Sequence, residues 1–520
     1  MAAALLSGRR LVVQTLLLAL ALLLRRWWGG DWGRSWTLHL ARRGAAALTR
    51  GSWGAAARVV GALALGYALV MAAASLLRHA MFYTPAWDLG IYDQSVWSIA
   101  SGRFPQRTLA DMLPIFADHF NPILFGLAPL YWLWPDPRAL LIVQAVVLAT
   151  GAFPVYLMGR RVLDHRLLAV LFPLLYLAYY PLQRINLRDF HPEALAVTLL
   201  LLAADALLAG RRAAFLGWLA LAMATKEEAV LTAVGFGLFI LLDRRGRWLG
   251  SGLILAGTLI FGLILGLIIP HFRGGPYVYL AEYPRYAQFG YSFREILVAV
   301  ITRPWRLVTT LFSADRAMAM ARHLAPLGFL PLLSPLHLLP AVPTLAAHGL
   351  SSRRWQYMLA DQYAATVIPF YFVGAVWGMR RFLRLAEARG WPRDVTIRLA
   401  AGGLLILSLL FVYRSPAWSV RLSLSDAARR PAKAAMVQAI PPTASVAADG
   451  PFLPHLSRRA DIHLVTEVSL ALRPQYVLLD LRKPTSDPDH RARVLERAFS
   501  DPAYRAVREE AGLVLLRRLD

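Results

Sequence analysis

Residues 58–77 read RVVGALALGYALVMAAASLL, with one arginine at the start and no charge after it. A helix of about 20 apolar residues, rising 1.5 Å each, covers the roughly 30 Å hydrocarbon core of a bilayer. Comparable runs recur at about 138–158, 166–183, 192–209, 249–269, 323–345, 361–379 and 395–413. Shorter apolar pieces lie at 121–134, 213–225, 229–242 and 296–313. Lipid offers no hydrogen bonds to an open backbone, so repeated runs of this length imply a bundle of helices. Composition agrees: 58% of the residues are hydrophobic and 17% charged, and the mean hydropathy is +0.48. Soluble domains carry about a quarter charged residues. The expected fold is a polytopic α-helical membrane protein with about ten to thirteen membrane helices.

The 520 residues carry 56 Lys+Arg against 31 Asp+Glu, a net charge of +25. Most of the excess is arginine in short loops between apolar runs, which points to membrane sidedness and away from nucleic-acid binding. GRR (159–161), GRR (210–212), DRRGR (243–247) and MRRFLRLAEARGWPR (379–393) are expected inside. The loops 78–120, 184–191 and 270–300 and the C-terminal tail then fall outside. SSRRWQ (351–356) joins them only if 296–313 crosses the membrane. LVVQTLLLALALLL (11–24) is short for a span and is followed by RRWW, not by a small-residue cleavage site. Residues 1–57 therefore read as a basic leader, cytoplasmic or interfacial, and 58–413 as the membrane domain. Cysteine is absent, which removes disulfides, thiolate nucleophiles and thiolate metal sites.

After about Tyr413 the pattern changes. SVAADGPFLPHLS, QYVLLDLRK and GLVLLRR are short β-type runs, and DHRARVLERAF is a charged helical one. Residues 414–520 are expected to form a small extracytoplasmic α/β domain. Walker-type loops, GxSxG and heptads do not occur.

Three clusters of acids and imidazoles stand on the outer side. The first follows the opening run, in AWDLGIYD (86–93): Asp88 and Asp93, then Asp111, Asp118 and His119 in the same loop. The second is RDFHPE, with Arg188, Asp189, His191 and Glu193. The third is KEE, with Lys226, Glu227 and Glu228. Each has a structural reading: Asp88 as an N-cap, HFNP and FHP as capping residues before a first-turn proline, Glu193 as a carboxylate at a positive helix end. Together they place proton-transfer groups and anion-binding helix ends in one layer. KEE interrupts an apolar stretch from Ala213 to Leu242, and charges at that depth are costly unless they line a polar cavity. An internal Lys–Glu pair that only fixes packing is the other reading. The loop PHFRGGPYVYLAEYPRYAQFGYSF is rich in Tyr, Pro and Arg, and suits either a lid with Arg273 and Arg285 as anion contacts or an interfacial belt.

WDLGIYDQSVWSIASG, DHFNPILFGLAPLYWL, RDFHPEALA, KEEAVL and IPPTASVAADGPFLPHLSRR together resemble a bacterial membrane family, domain of unknown function 2079. Its layout is similar to that of the C-type (GT-C) integral-membrane glycosyltransferases. The resemblance runs from about residue 60 to the end. It implies a multi-pass plasma (inner) membrane protein that moves a sugar from a polyprenyl-phosphate donor to an acceptor at the outer face. It also implies that an aspartate in the first outer loop activates the acceptor or binds a metal, and Asp88 stands at that place. Leu89 beside it breaks the paired-acid pattern of several GT-C members. Arg188, Lys226, Arg273 and Arg285 are the phosphate-binding candidates. Asp93, His119, Asp189, His191, Glu193, Glu227 and Glu228 are the cavity or proton-transfer candidates. Mg2+ or Mn2+ would fall to Asp88, His191 and Glu227. Membrane lipid is the expected partner and nucleic acid is not. A transporter or lipid flippase without covalent chemistry, and a non-catalytic scaffold, are the competing readings.

Overall fold

The computed structural model describes residues 52–519, apart from 85, 110–111, 413–423, 425, 484 and 486. The 11–24 run, almost all of the leader, Asp111 and the 413/414 boundary lie outside the described residues.

The opening run forms the helix Trp53–Ala80, which Ser52 caps by accepting a hydrogen bond from the Ala55 N–H at 3.1 Å. Among the described residues, four helices are long and apolar enough to cross a membrane: Trp53–Ala80, Pro137–Leu163, Arg247–Arg273 and Arg393–Phe411. Arg166–Ala178 and Tyr180–Arg188 would make a fifth, bent by 42°. The bend has a chemical cause. Pro181 has no N–H for the carbonyl of Leu177, which instead accepts from Gln183 Nε2 at 3.1 Å. Ile123–Leu133 and Arg212–Met223 are apolar but shorter.

The run at 323–345 departs from the expected single span. Ala314–Leu324 is helical, followed by 3-10 turns at Ala325–Leu327, Leu330–Leu333 and Pro335–Ala341 and a helix at Val342–Gly349. Pro326, Pro331, Pro335, Pro340 and Pro343 each remove a donor from a continuous helix. The result is a hairpin. Its open ends meet where Arg316 donates to the carbonyls of Gly349 and, at 2.9 Å, Ser351. Its turn lies at the far end, where Arg381 donates to the Leu333 carbonyl at 3.2 Å and His337 stacks on Trp377 at 4.6 Å. The chain goes down and returns, so 351–356 stands beside 270–290 without any crossing by 296–313. Ser352 N donates to the Arg285 carbonyl at 2.7 Å there. Phe293–Thr302 and Pro304–Leu311 bury no residue.

The arginine turns gather at that far end. Arg161 and Arg211, from the two GRR turns, reach opposite oxygens of the buried Asp205 at 3.0 and 2.6 Å. Arg160 lies over the ring of Trp53, at the start of the first helix.

The C-terminal part is a five-stranded sheet in the order β2-β1-β3-β5-β4. The strands are β1 (Val446–Ala448), β2 (Ile462–Leu464), β3 (Tyr476–Asp480), β4 (Tyr504–Glu510) and β5 (Leu513–Arg518). β2, β1 and β3 are parallel, and β5 is antiparallel to both β3 and β4. The three expected β-type runs carry β1, β3 and β5, and DHRARVLERAF lies in the helix Pro488–Ser500. One face of the sheet packs on its own helix, where Val477, Leu479, Val514 and Leu516 bury Val494 and Ala498; the other is shared with the helical part. Phe452, Leu453, Leu478 and Leu515 share one core with Leu89, Val96, Leu124 and Leu140.

Close approach explains two glycines. A Cβ at Gly235 would come within 2.5 Å of the Pro340 carbonyl oxygen, and one at Gly378 would meet the Leu330 carbonyl, so both let the hairpin lie against its neighbours. Gly402 has open space around its Cβ position. Gly378→Ala should therefore lower stability by about 1–3 kcal/mol, the usual cost of overpacking. Gly402→Ala should leave the melting temperature in detergent unchanged or raise it slightly.

Candidate active site

Asp88 sits in a single π-helical turn, Ala86–Gly90, that leads directly into the helix Ile91–Ala100. It caps nothing. Gly90 occupies the cap position, and no side-chain cap bond is made there. A Cβ at Gly90 would stand 3.2 Å from Leu109 and 3.7 Å from the backbone of Pro454, so the turn is held against its own loop and the C-terminal sheet region.

RDFHPE is held by one glutamine. Gln144 Nε2 donates to the Asp189 carbonyl at 2.7 Å, and its Oε1 accepts from the His191 N–H at 2.9 Å. Asp189 pays for this turn with a φ of 140°, in a region that side-chain-bearing residues avoid. Pro192 opens the next helix, Pro192–Leu208, and His191 makes no side-chain cap bond, which leaves its ring free for other work.

KEE occupies a break between Arg212–Met223 and Leu231–Leu242. The loop of the first cluster closes over it: Ile123 N donates to the Ala224 carbonyl at 2.9 Å and Asn121 Nδ2 to the Thr225 carbonyl at 2.7 Å. Asn121 thus serves the break and does not cap the helix that follows Pro122.

These elements enclose a cavity of about 590 Å³. Of the sequence candidates, Asp88, His119, His191, Glu193, Lys226, Arg273 and Arg285 line it. The charges are nearly all paired. His191 Nε2 lies 3.1 Å from Asp88 Oδ1, and Lys226 Nζ donates to Glu193 Oε1 at 2.7 Å. Arg273 meets Glu282 at 2.8 Å, and Arg285 meets Glu228 at 3.0 Å. Glu227 lies behind the wall. It accepts from the Phe120 N–H at 3.1 Å and contacts His119 Nδ1 at 2.8 Å, while His119 Nε2 is 3.2 Å from the Tyr279 hydroxyl.

The other candidates stand elsewhere. Asp93 is fully buried between Tyr131 and Ser457, whose Oγ donates to it at 2.5 Å, so it joins the C-terminal sheet region to the first loop. Asp189 is buried, with neither carboxylate oxygen hydrogen-bonded. Arg188 is exposed and does not line the cavity. Among the described residues no three His, Asp or Glu side chains are grouped to hold a metal ion. The trio Asp88, His191 and Glu227 is accordingly not assembled, and Glu227 would have to leave His119 and Phe120 to join it. Arg107 and Arg353, also on the wall, were not among the candidates. Arg107 pairs with Asp118. Arg353 has no carboxylate partner among the described residues.

Protonation follows from these pairs. Burial disfavours the Asp88 charge, but His191 beside it more than compensates and holds Asp88 below the ordinary carboxylate value. Burial likewise works against a charged His191, and Asp88 reverses the balance and raises it to about 9. Asp118 falls to about 2, because His119 and Arg107 outweigh burial. Asp189 moves well above its ordinary value through burial and the nearby Asp88 charge. Burial lifts Asp93 to about 6 despite its two hydroxyl donors.

Residues 78–515, which carry all of this geometry, match the family described as predicted membrane protein, DUF2079. The chain belongs to that family. No curated protein matches the DUF2079 chain. Among solved structures it is similar to ArnT from Cupriavidus metallidurans bound to undecaprenyl phosphate. The identity is 12%, with 88% of this chain and 98% of that one covered, at a TM-score of 0.49. The apo state of the same ArnT gives 14% identity with the same coverage, at a TM-score of 0.46.

The Asp88–His191 pair makes stability depend on pH in a stated direction. A raised histidine stabilises fully below its ordinary value of 6.5, and that stabilisation is lost as pH rises through about 9. A lowered aspartate stabilises fully above 3.8, and that contribution is lost as pH falls further. The melting-temperature deficit of His191→Gln against the parent DUF2079 chain should therefore be largest between about pH 4 and 6.5, shrink as pH rises from 6.5 to about 9, and be smallest above that.

Proposed function

We propose that this DUF2079 protein is an integral-membrane glycosyltransferase. It moves a sugar from a polyprenyl-phosphate donor to a hydroxyl acceptor, with Asp88 taking the acceptor proton. The observation that carries this reading is the accessible carboxylate on a cavity wall: the Asp88 side chain is 21% exposed, whereas its partner His191 is 2% exposed. His191 engages Oδ1 and leaves Oδ2 for an incoming hydroxyl.

In the reaction, the acceptor oxygen forms a bond to the anomeric carbon as the bond from that carbon to the phosphate oxygen breaks. The electron pair leaves with the lipid phosphate, and the acceptor proton passes to Asp88. A carboxylate of lowered basicity suffices, because the acceptor hydroxyl becomes strongly acidic as its oxygen bonds to carbon. The leaving phosphate is already a stable anion, so the protein need only stabilise its charge. Arg353 suits that role best among the wall cations, since the others are committed to carboxylates. Trp87, Tyr92, Tyr279 and Tyr363 line the same space and offer flat faces for the C–H side of a sugar ring.

A second reading, a carrier for a lipid-linked sugar without covalent chemistry, draws on one observation. Two helical segments are broken, at Tyr179 and at KEE, as in many transporters. The two readings part in nanodiscs loaded with undecaprenyl-phosphate hexoses and pentoses. The transferase consumes donor, and Asp88→Asn should lower turnover by about 10²–10⁴-fold while donor binding persists. Passage of intact donor across the bilayer, with no consumption, would establish the carrier.

The cavity end is proposed to face outwards and the arginine end the cytoplasm, in an inner membrane. The native chain has no cysteine, so single cysteines report sidedness cleanly. In intact cells an impermeant maleimide should label Arg354→Cys and spare Arg389→Cys until the membrane is opened.

A further inference from the structure

Besides the accessible oxygen of Asp88, the cavity wall holds a buried carboxylate oxygen without a protein partner among the described residues. Glu193 is 3% exposed, and its Oε1 accepts from Lys226 Nζ at 2.7 Å. Its Oε2 is buried without a hydrogen-bond partner among the described residues. Burying an unpaired carboxylate oxygen is costly, and native proteins rarely leave one so unless water, an ion or a ligand completes it. Glu193 lines the cavity alongside Asp88, Tyr92 and Tyr363. Lys226 itself lies 5.7 Å from the centre of the Tyr363 ring, so the pair and the two aromatic faces form one corner.

The charge of that corner decides what fits. Glu193 and Lys226 together are close to neutral. An ammonium brought to Oε2 would stand near Lys226 and be repelled by it. A hydroxyl satisfies the oxygen at no such cost. Resting on the glycosyltransferase reading above, we propose that Glu193 is a specificity residue whose Oε2 accepts a hydrogen bond from a neutral hydroxyl of the transferred sugar. Lys226 then acts as the clamp that orients Glu193, not as a phosphate ligand. A site built around one hydroxyl rejects the analogue that lacks it, because the carboxylate oxygen is left bare.

The test measures binding, not turnover, on the full chain in nanodiscs. The probes are undecaprenyl phosphate, undecaprenyl phosphoglucose, its four single-deoxy analogues, and an amino-sugar counterpart. The expected result for the parent is a loss of about tenfold or more in affinity for one deoxy analogue. In Glu193→Gln that selective penalty should disappear, while undecaprenyl phosphate binds as before and so certifies the fold. If the single variant does not fold because Lys226 is stranded, Glu193→Gln with Lys226→Met removes the pair as a unit and should lose the same discrimination. Three results overturn the proposal. A deoxy penalty unchanged in the variants removes Glu193 and leaves the transferase reading standing. Tighter binding of the amino sugar than of its hydroxyl parent, lost in Glu193→Gln, removes the neutral-donor claim. Failure of every probe to bind removes the transferase reading and this inference with it.

Discussion

Charged side chains inside an apolar bundle must be paired, and in this protein that requirement organises everything around the break at 226–228. Lys226, Glu227 and Glu228 follow one another in the chain, yet each finds its partner on a different element. Glu193 comes from the first turn of the earlier helix Pro192–Leu208, His119 from the first loop, and Arg285 from the long segment after Arg273. Removing one member of such a pair strands the other, at a cost of about 3–5 kcal/mol. Three neighbouring residues thus pin three distant segments to one point. The cavity is the space that those segments enclose.

The opposite end follows the same rule with other means. Arg161 and Arg211 converge on Asp205, a buried carboxylate in the last turn of the helix that Glu193 opens. The hairpin of residues 314–349 reaches this end and is anchored by Arg381. Its prolines prevent a straight helix, and Gly235 and Gly378 accept its irregular backbone at close range. Irregular backbone at such depth is tolerable only where protein covers it, which is the condition those glycines create.

Much of this was legible in the sequence, because apolar length and charge position are local properties. The run at 58–77 and the arginine turns each speak for themselves, and the acidic clusters stood out against a basic chain. Partnership is not local. Nothing in KEE names Glu193 or His119 as its partners, and Asn121 before Pro122 reads as a cap although its side chain closes on Thr225. Asp88 read equally as a cap, yet Gly90 holds that position. The five prolines of 326–343 were visible and still lost against the apolar count, which made one span of a hairpin. β2 is three residues long, and β4 is largely exposed and charged, so neither shows the alternation that marks a strand. Arg353 carried no signal at all. It sits among other arginines in SSRRWQ, and only the return of the hairpin brings it to the cavity.

Pairing also explains why so polar a cavity retains few groups able to act. Most wall charges neutralise one another, which holds the wall rigid and removes them as ligands. What remains is a short set: one oxygen of Asp88, one of Glu193, and the guanidinium of Arg353. These three differ in kind. The first is an accessible carboxylate kept ionised by a buried imidazolium, the second a buried acceptor beside a fixed cation, the third a cation without a carboxylate partner among the described residues. In the sugar transfer proposed above, they serve as proton acceptor, hydroxyl-binding oxygen and anion-binding group.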